Sequence, residues 1–176
     1  MRSARLAVTV PFLAAALVAQ APAPPDVALH KAEVAKLSWM VGTWEGDGWS
    51  QRGEVKSEFR QSEKIALKLD GQTLELEGEG HSKADASKVV FRALGVVFYD
   101  PYAKGVRLAS WTDQGYWAVS PMTVTAKGYS WTIDLPNNKT RYTATLSGGK
   151  WSEIGEWSAD GKSWAKFFEM NLTKKS

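Results

Sequence analysis

The chain has 176 residues, a length that one domain accommodates, with 22 basic and 19 acidic residues for a net charge of +3. Apolar residues make up 44%, and nine tryptophans in so short a chain suit a packed β interior or a pocket wall. There is no cysteine, which excludes a disulfide framework, a thiol nucleophile and a lipid-carrying cysteine.

Residues 1–21 read as a signal peptide. Arg2 and Arg5 form the positive start, and Leu6 to Ala19 are apolar except for Thr9 and Pro11. Ala19-Gln20-Ala21 offers small residues for cleavage, and Pro22 can shift the cut by a few positions. The chain is therefore expected to be periplasmic or secreted. An uncleaved anchor is the alternative, but the apolar stretch is short for a span. No later segment is apolar enough, so no membrane span is expected after signal removal. Losing Arg2 and Arg5 leaves 20 basic against 19 acidic residues, about +1, so no nucleic-acid partner is expected.

Residues 22–36 are assigned to a linker and a short helix. Ala21-Pro22-Ala23-Pro24-Pro25 favours extended polyproline backbone, and Asp26 can cap a helix over 27–37 that plugs or braces one end of the next domain. Residues 37–176 are assigned to the following domain, and from Gly42 onward the signals are all strand and turn. Candidate strands run 43–50, 55–68, 73–81, 89–99, 105–111, 115–120, 122–126, 129–134, 140–147, 150–158 and 164–173. Turn signals such as Asp70-Gly71, Lys104-Gly105, Pro136-Asn137-Asn138 and Gly148-Gly149 separate them. Tyr129-Ser130-Trp131-Thr132-Ile133-Asp134 and Leu74-Glu75-Leu76-Glu77 alternate with the sheet period. Segment 89–99 is apolar on both faces and predicts an outer cover, either the helix or a partner in a homodimer. About ten strands with short connections and no intervening helix predict an all-β fold. Closure removes the exposed edges, giving an antiparallel up-and-down barrel.

The segment Leu37-Ser38-Trp39-Met40-Val41-Gly42-Thr43-Trp44-Glu45-Gly46-Asp47-Gly48 resembles the first-strand signature of nitrobindin-like, lipocalin-like (calycin) barrels. Phe98-Tyr99-Asp100-Pro101, Arg141-Tyr142-Thr143, Glu153 to Ser158 and Lys166 to Met170 are similar to the related exported bacterial family called domain of unknown function 1579. The resemblance covers roughly residues 37–173 and implies a ten-stranded barrel with an internal cavity. In nitrobindins a histidine near the end of the barrel holds haem. Here Phe167 to Thr173 contain no histidine, and the chain has only His30, in the helix, and His81, at a strand end. A haem ligand must point into the cavity and be held there. Haem is therefore not carried over, and no cofactor or metal is expected.

The candidate ligand-binding residues are Trp111, Trp117 and Trp131 on middle strands, with Tyr99 and Phe168, because a ten-stranded barrel is wider than side chains can just fill. Trp44 is read as a structural plug. Arg141, Glu153 and Glu169 are charged residues in otherwise apolar strands. They read either as a polar anchor or acid–base site, or as internal pairs and surface groups. Glu153 and Glu156 have opposite parity, so at most one of them points inward without a bulge. Two histidines and no cysteine give no zinc spacing and no catalytic triad, and no glycine-rich loop joins a strand to a helix. No catalytic residue is assigned. The leading expectation is a barrel binding a small, largely apolar molecule. The alternatives are an enzyme using Arg141 with Glu153 or Glu169 and Tyr99 or Tyr142, or an interaction protein with an outer aromatic face.

Overall fold

Asp26 accepts a hydrogen bond from the Leu29 amide at 3.0 Å and so caps helix α1 (Val27–Ala35) in the computed structural model, which describes residues 24–175. The proposed signal peptide and most of the linker lie outside the described residues. A 3₁₀ turn (Ser38–Met40) carries the chain into β1 (Gly42–Arg52). There follow β2 (Val55–Lys68), β3 (Thr73–Ser82), β4 (Val89–Asp100) and β5 (Gly105–Thr112). The chain continues through β6 (Trp117–Thr125), β7 (Gly128–Leu135), β8 (Asn138–Ser147), β9 (Lys150–Ser158) and β10 (Ala165–Lys174). Each strand pairs antiparallel with its sequence neighbour. β10 closes on β1 in a register running from Trp44 opposite Lys174 to Ser50 opposite Phe168. The result is a closed ten-stranded up-and-down barrel.

Two expectations are corrected. Segments 115–120 and 122–126 form one strand, β6. Pro121 ends the pairing with β5, and Met122 begins the pairing with β7. A proline has no amide to give a ladder, and here it sits where the strand changes partner, so it does not break the strand. The outer face of 89–99 is also less covered than expected. Helix α1 packs at the end of β3 and β4, and Leu94, on the outer side of β4, is 41% exposed.

Strand direction sorts the connections into two ends. Helix α1 and the turns around residues 69–71, 101–104, 126–127 and 148–149 share one end. The connections 53–54, 83–88, 113–116, 136–137 and 159–164 share the other. Gly148 and Gly149 both have positive φ (58° and 74°), as a tight two-residue hairpin demands. Lys31 of α1 pairs with Asp70 and ties the helix to the first end.

That end is sealed. Val34, Leu37 and Met40 are fully buried, and Trp44, Leu74, Val97, Trp151 and Leu172 pack with them. The Trp44 indole donates to the Met40 carbonyl at 2.7 Å and packs edge-on against Trp39 and Trp151. Trp44 therefore lies in the barrel floor.

Candidate functional site

The inward positions on each strand follow from burial and register. On β1 they include Trp44, Gly46, Gly48 and Ser50; on β2, Phe59, Gln61, Glu63 and Ile65; on β9, Trp151, Glu153 and Gly155. Moving outward from the floor, the character of these positions changes from large and apolar, through polar, to a mouth with one aromatic and one small-residue side.

The aromatic side is continuous. Trp131 on β7 stacks on Tyr142 of β8, with ring centroids 4.3 Å apart and planes 11° apart. Tyr142 meets Phe168 of β10 at 5.9 Å, and Phe168 stacks on Phe59 of β2 at 5.9 Å. Glycines let these rings lie flat against the wall. A Cβ on Gly155 would sit 2.8 Å from the Tyr142 ring, and one on Gly48 would sit 2.5 Å from Phe59. Opposite them, β3 to β6 present Gly78, Gly80, Ala93, Ser110, Ala118 and Ser120, with Phe91 the bulky member. Several inward residues toward this end, including Ser50, Phe91, Ser110, Trp131 and Tyr142, are only partly buried, so the lumen is open there.

Between the mouth and the floor lies a polar layer. Gln61 donates to the Glu63 carboxylate at 2.8 Å, and the Tyr129 hydroxyl donates to Glu153 at 2.5 Å. Gly78 gives Glu63 its seat, since a Cβ there would stand 2.7 Å from the carboxylate oxygen. Burial pushes Glu63 up to about 8, the Gln61 bond opposes this, and the charge on Glu153 adds to it. Burial likewise pushes Glu153 up to about 7, opposed by the hydrogen bond it accepts from Tyr129. Tyr129 is held well above the usual phenol range by burial and by the Glu153 charge. The Trp151 indole N–H lies beside Glu153, yet no acceptor meets hydrogen-bond geometry with it.

At the mouth, the Arg52 guanidinium at the end of β1 donates to the Gln114 side chain at 2.9 Å. Gln114 lies between β5 and β6, and β6 stands five strands from β1 in the ring of ten, so this bond crosses the opening.

The residues singled out from the sequence divide between the two sides of the wall. Trp131, Glu153 and Phe168 face the lumen. Tyr99 also faces inward, but at the sealed end, where its ring lies 5.4 Å from His30. Trp111 and Trp117 are corrected to the outer surface. They pair in register across β5 and β6 and are 45% and 71% exposed. Val106 and Leu108 set the inward parity of β5, which places residue 111 outside. Arg141 is also outside, bound to Glu156 at 2.7 Å and stacked on the Trp164 ring at 4.1 Å. Glu169 alternates with inward Phe168 and Met170, and it pairs with Lys166 at 2.6 Å on the exterior. Arg141, Glu153 and Glu169 therefore do not converge. Glu63, Gln61 and Tyr129 escaped the sequence reading.

Neither histidine suits haem. His30 packs at the sealed end, and His81 lies on the outside of β3, with its ring nitrogens 2.7 Å from Glu79 and 2.9 Å from the Ala86 carbonyl. The described residues hold no group of three or more His, Cys, Asp or Glu arranged for a metal, and no helix among them is long and apolar enough to cross a membrane.

The fold and its open lumen define the chain as a lipocalin-like barrel. No family model matches it, and no curated protein does. Among solved structures, it is similar to Rv2717c from M. tuberculosis, with a TM-score of 0.63 at 17% identity over 82% of this chain and 98% of that one. It is also similar to the S-type phycobiliprotein lyase CPES from Guillardia theta, with a TM-score of 0.55 at 10% identity over 87% of this chain and 99% of that one.

Proposed function

We propose that this protein binds a small, largely apolar and flat molecule in the barrel, entering through the open end. The observation that carries the reading is the aromatic wall Trp131–Tyr142–Phe168–Phe59 facing small side chains across a partly accessible lumen. Apolar walls with a few convergent polar groups are what ligand sites provide. The reading includes export to the periplasm or beyond by the signal at residues 1–21, membership of the domain of unknown function 1579 family, and no haem. A Soret absorption band in the purified protein overturns the last of these.

Fluorescence titration with the neutral probe N-phenyl-1-naphthylamine tests the site. We expect saturable binding that weakens about tenfold in Trp131→Leu, equivalent to about 1.4 kcal/mol, and is unchanged in Trp117→Leu. Wild-type protein that fails to bind, or equal effects of the two substitutions, would overturn the reading.

A second reading, self-association, rests on the exposed strip of Leu94, Trp111 and Trp117, which are direct register neighbours on the outside of β4, β5 and β6. Light scattering tests it, and a monomer at every concentration refutes it.

A further inference from the structure

Two carboxyl groups inside the barrel have no cationic partner. Glu63 projects from β2 and Glu153 from β9, three strands away around the ring. The register neighbours of Glu63 are Trp44 and Gly78, and those of Glu153 are Met170 and Ala144, so the adjoining strands supply no positive charge. None of the ion pairs among the described residues includes either carboxyl. Glu63 is 9% exposed and Glu153 6%, and both side chains point inward. Beside them is the Trp151 indole N–H, almost fully buried and without an acceptor. Each carboxyl has one neutral hydrogen-bond donor, Gln61 for Glu63 and Tyr129 for Glu153, but no cation to balance a charge, and the Trp151 N–H has no acceptor at all.

We propose, resting on the reading of the lumen as a ligand site, that its inner end recognises a basic nitrogen. The ligand is an amphiphile whose ammonium group seats between Glu63 and Glu153 and whose apolar body lies along the aromatic wall. An oxygen next to that nitrogen accepts the free Trp151 N–H. An anionic head group finds no cation here to balance its charge and is disfavoured. A protonated carboxyl that receives an ammonium ion gives its proton to solvent, so the ion pair forms with the release of one proton.

Calorimetric titration of the protein with decylamine, decanol and decanoate at pH 7, in two buffers of different ionisation enthalpy, tests the proposal. N-phenyl-1-naphthylamine serves as the neutral control. We expect decylamine to bind about tenfold more tightly than decanol and about a hundredfold more tightly than decanoate, with net proton release. The Glu63→Gln, Glu153→Gln double variant should lose both the preference and the proton release while still binding the neutral probe. Decanoate matching decylamine, or a double variant that keeps the preference, overturns the proposal. If the neutral probe binds wild type and decylamine shows no advantage, the ammonium site alone falls. If nothing binds, the ligand-binding reading falls with it.

Discussion

Glu63→Gln should make the protein more stable at neutral and alkaline pH. Burial lifts the folded-state carboxyl to about 8, while in the unfolded chain it titrates near the ordinary value of 4.5. Between those limits the folded protein holds the proton more tightly than the unfolded chain does, so stability falls as pH rises through the window. At 1.36 kcal/mol per pH unit the loss reaches about 4 kcal/mol at pH 8, against a total stability of roughly 5–15 kcal/mol for a domain. Glu153, lifted to about 7, acts with the same sign over a narrower window. His81, raised by its bond to Glu79, acts the same way from the surface. Asp70, Glu79, Asp85, Asp100, Asp160 and Glu169 are all lowered by hydrogen bonds, so their contribution is lost only as pH falls below the carboxylate range, outside this window.

Glutamine matches the protonated acid in shape, and its carbonyl can still accept the Gln61 bond. Urea unfolding of wild type and Glu63→Gln, followed by tryptophan fluorescence at pH 5, 6, 7 and 8, gives the comparison. The two should agree within about 1 kcal/mol at pH 5 and diverge by about 3–5 kcal/mol in favour of the variant at pH 8. Glu153 and His81 are common to both proteins and leave a residual slope in each. Parallel curves, or a wild type flat from pH 5 to pH 8, refute the reasoning.

Gly78→Ala should cost about 1–3 kcal/mol, because its Cβ displaces the Glu63 carboxylate; the penalty should largely vanish in a Glu63→Ala background, as a double-mutant cycle will show. Trp44→Ala removes the floor and should cost about 3–5 kcal/mol by chemical denaturation. Arg52→Ala breaks only an exposed bond across the mouth. It should leave stability within about 0.5 kcal/mol while stopped-flow mixing shows faster entry and exit of the neutral probe. Arg141→Ala and Glu169→Ala lie outside the wall, so each should cost about 1 kcal/mol or less and leave probe affinity unchanged in fluorescence titration.

The fold was legible because the signals for it are local. Turn dipeptides, alternation and the Gly42-Thr43-Trp44-Glu45-Gly46 opening each belong to short segments, and antiparallel neighbours need no long-range information to pair. The site was less legible because it depends on parity carried around the ring. Trp111 and Trp117 drew attention by size, although Val106 and Leu108 had already fixed the inward side of β5. Arg141 and Glu169 drew attention by charge among aromatics, although Tyr142, Phe168 and Met170 mark the opposite parity. Glu63 was missed for the opposite reason. It sits in Arg60-Gln61-Ser62-Glu63-Lys64, where both faces are polar and alternation disappears. Its signal was the shared parity of Phe59 and Ile65, which places 61 and 63 with them inside.

The two halves of the lumen obey different rules, and the difference bears on function. At the floor, indoles and aliphatic side chains fill the space, and their burial supplies stability that a chain without disulfides must find in its core. One layer outward, two carboxyls and a tyrosine occupy positions where leucine or methionine would stabilise the fold, and glycines on the adjoining strands make room for the Glu63 carboxylate and for the Phe59 and Tyr142 rings. A sequence that packs one end with apolar side chains and then buries carboxyls toward the open end breaks the rules of folding where a binding site needs them broken. The destabilisation expected from Glu63 at neutral pH is the energetic mark of that choice. An ammonium ligand seated between the carboxyls would reverse it by binding the folded state alone. Saturating decylamine should therefore raise the unfolding midpoint of wild type at pH 8 more than at pH 5 and leave the double glutamine variant almost unmoved.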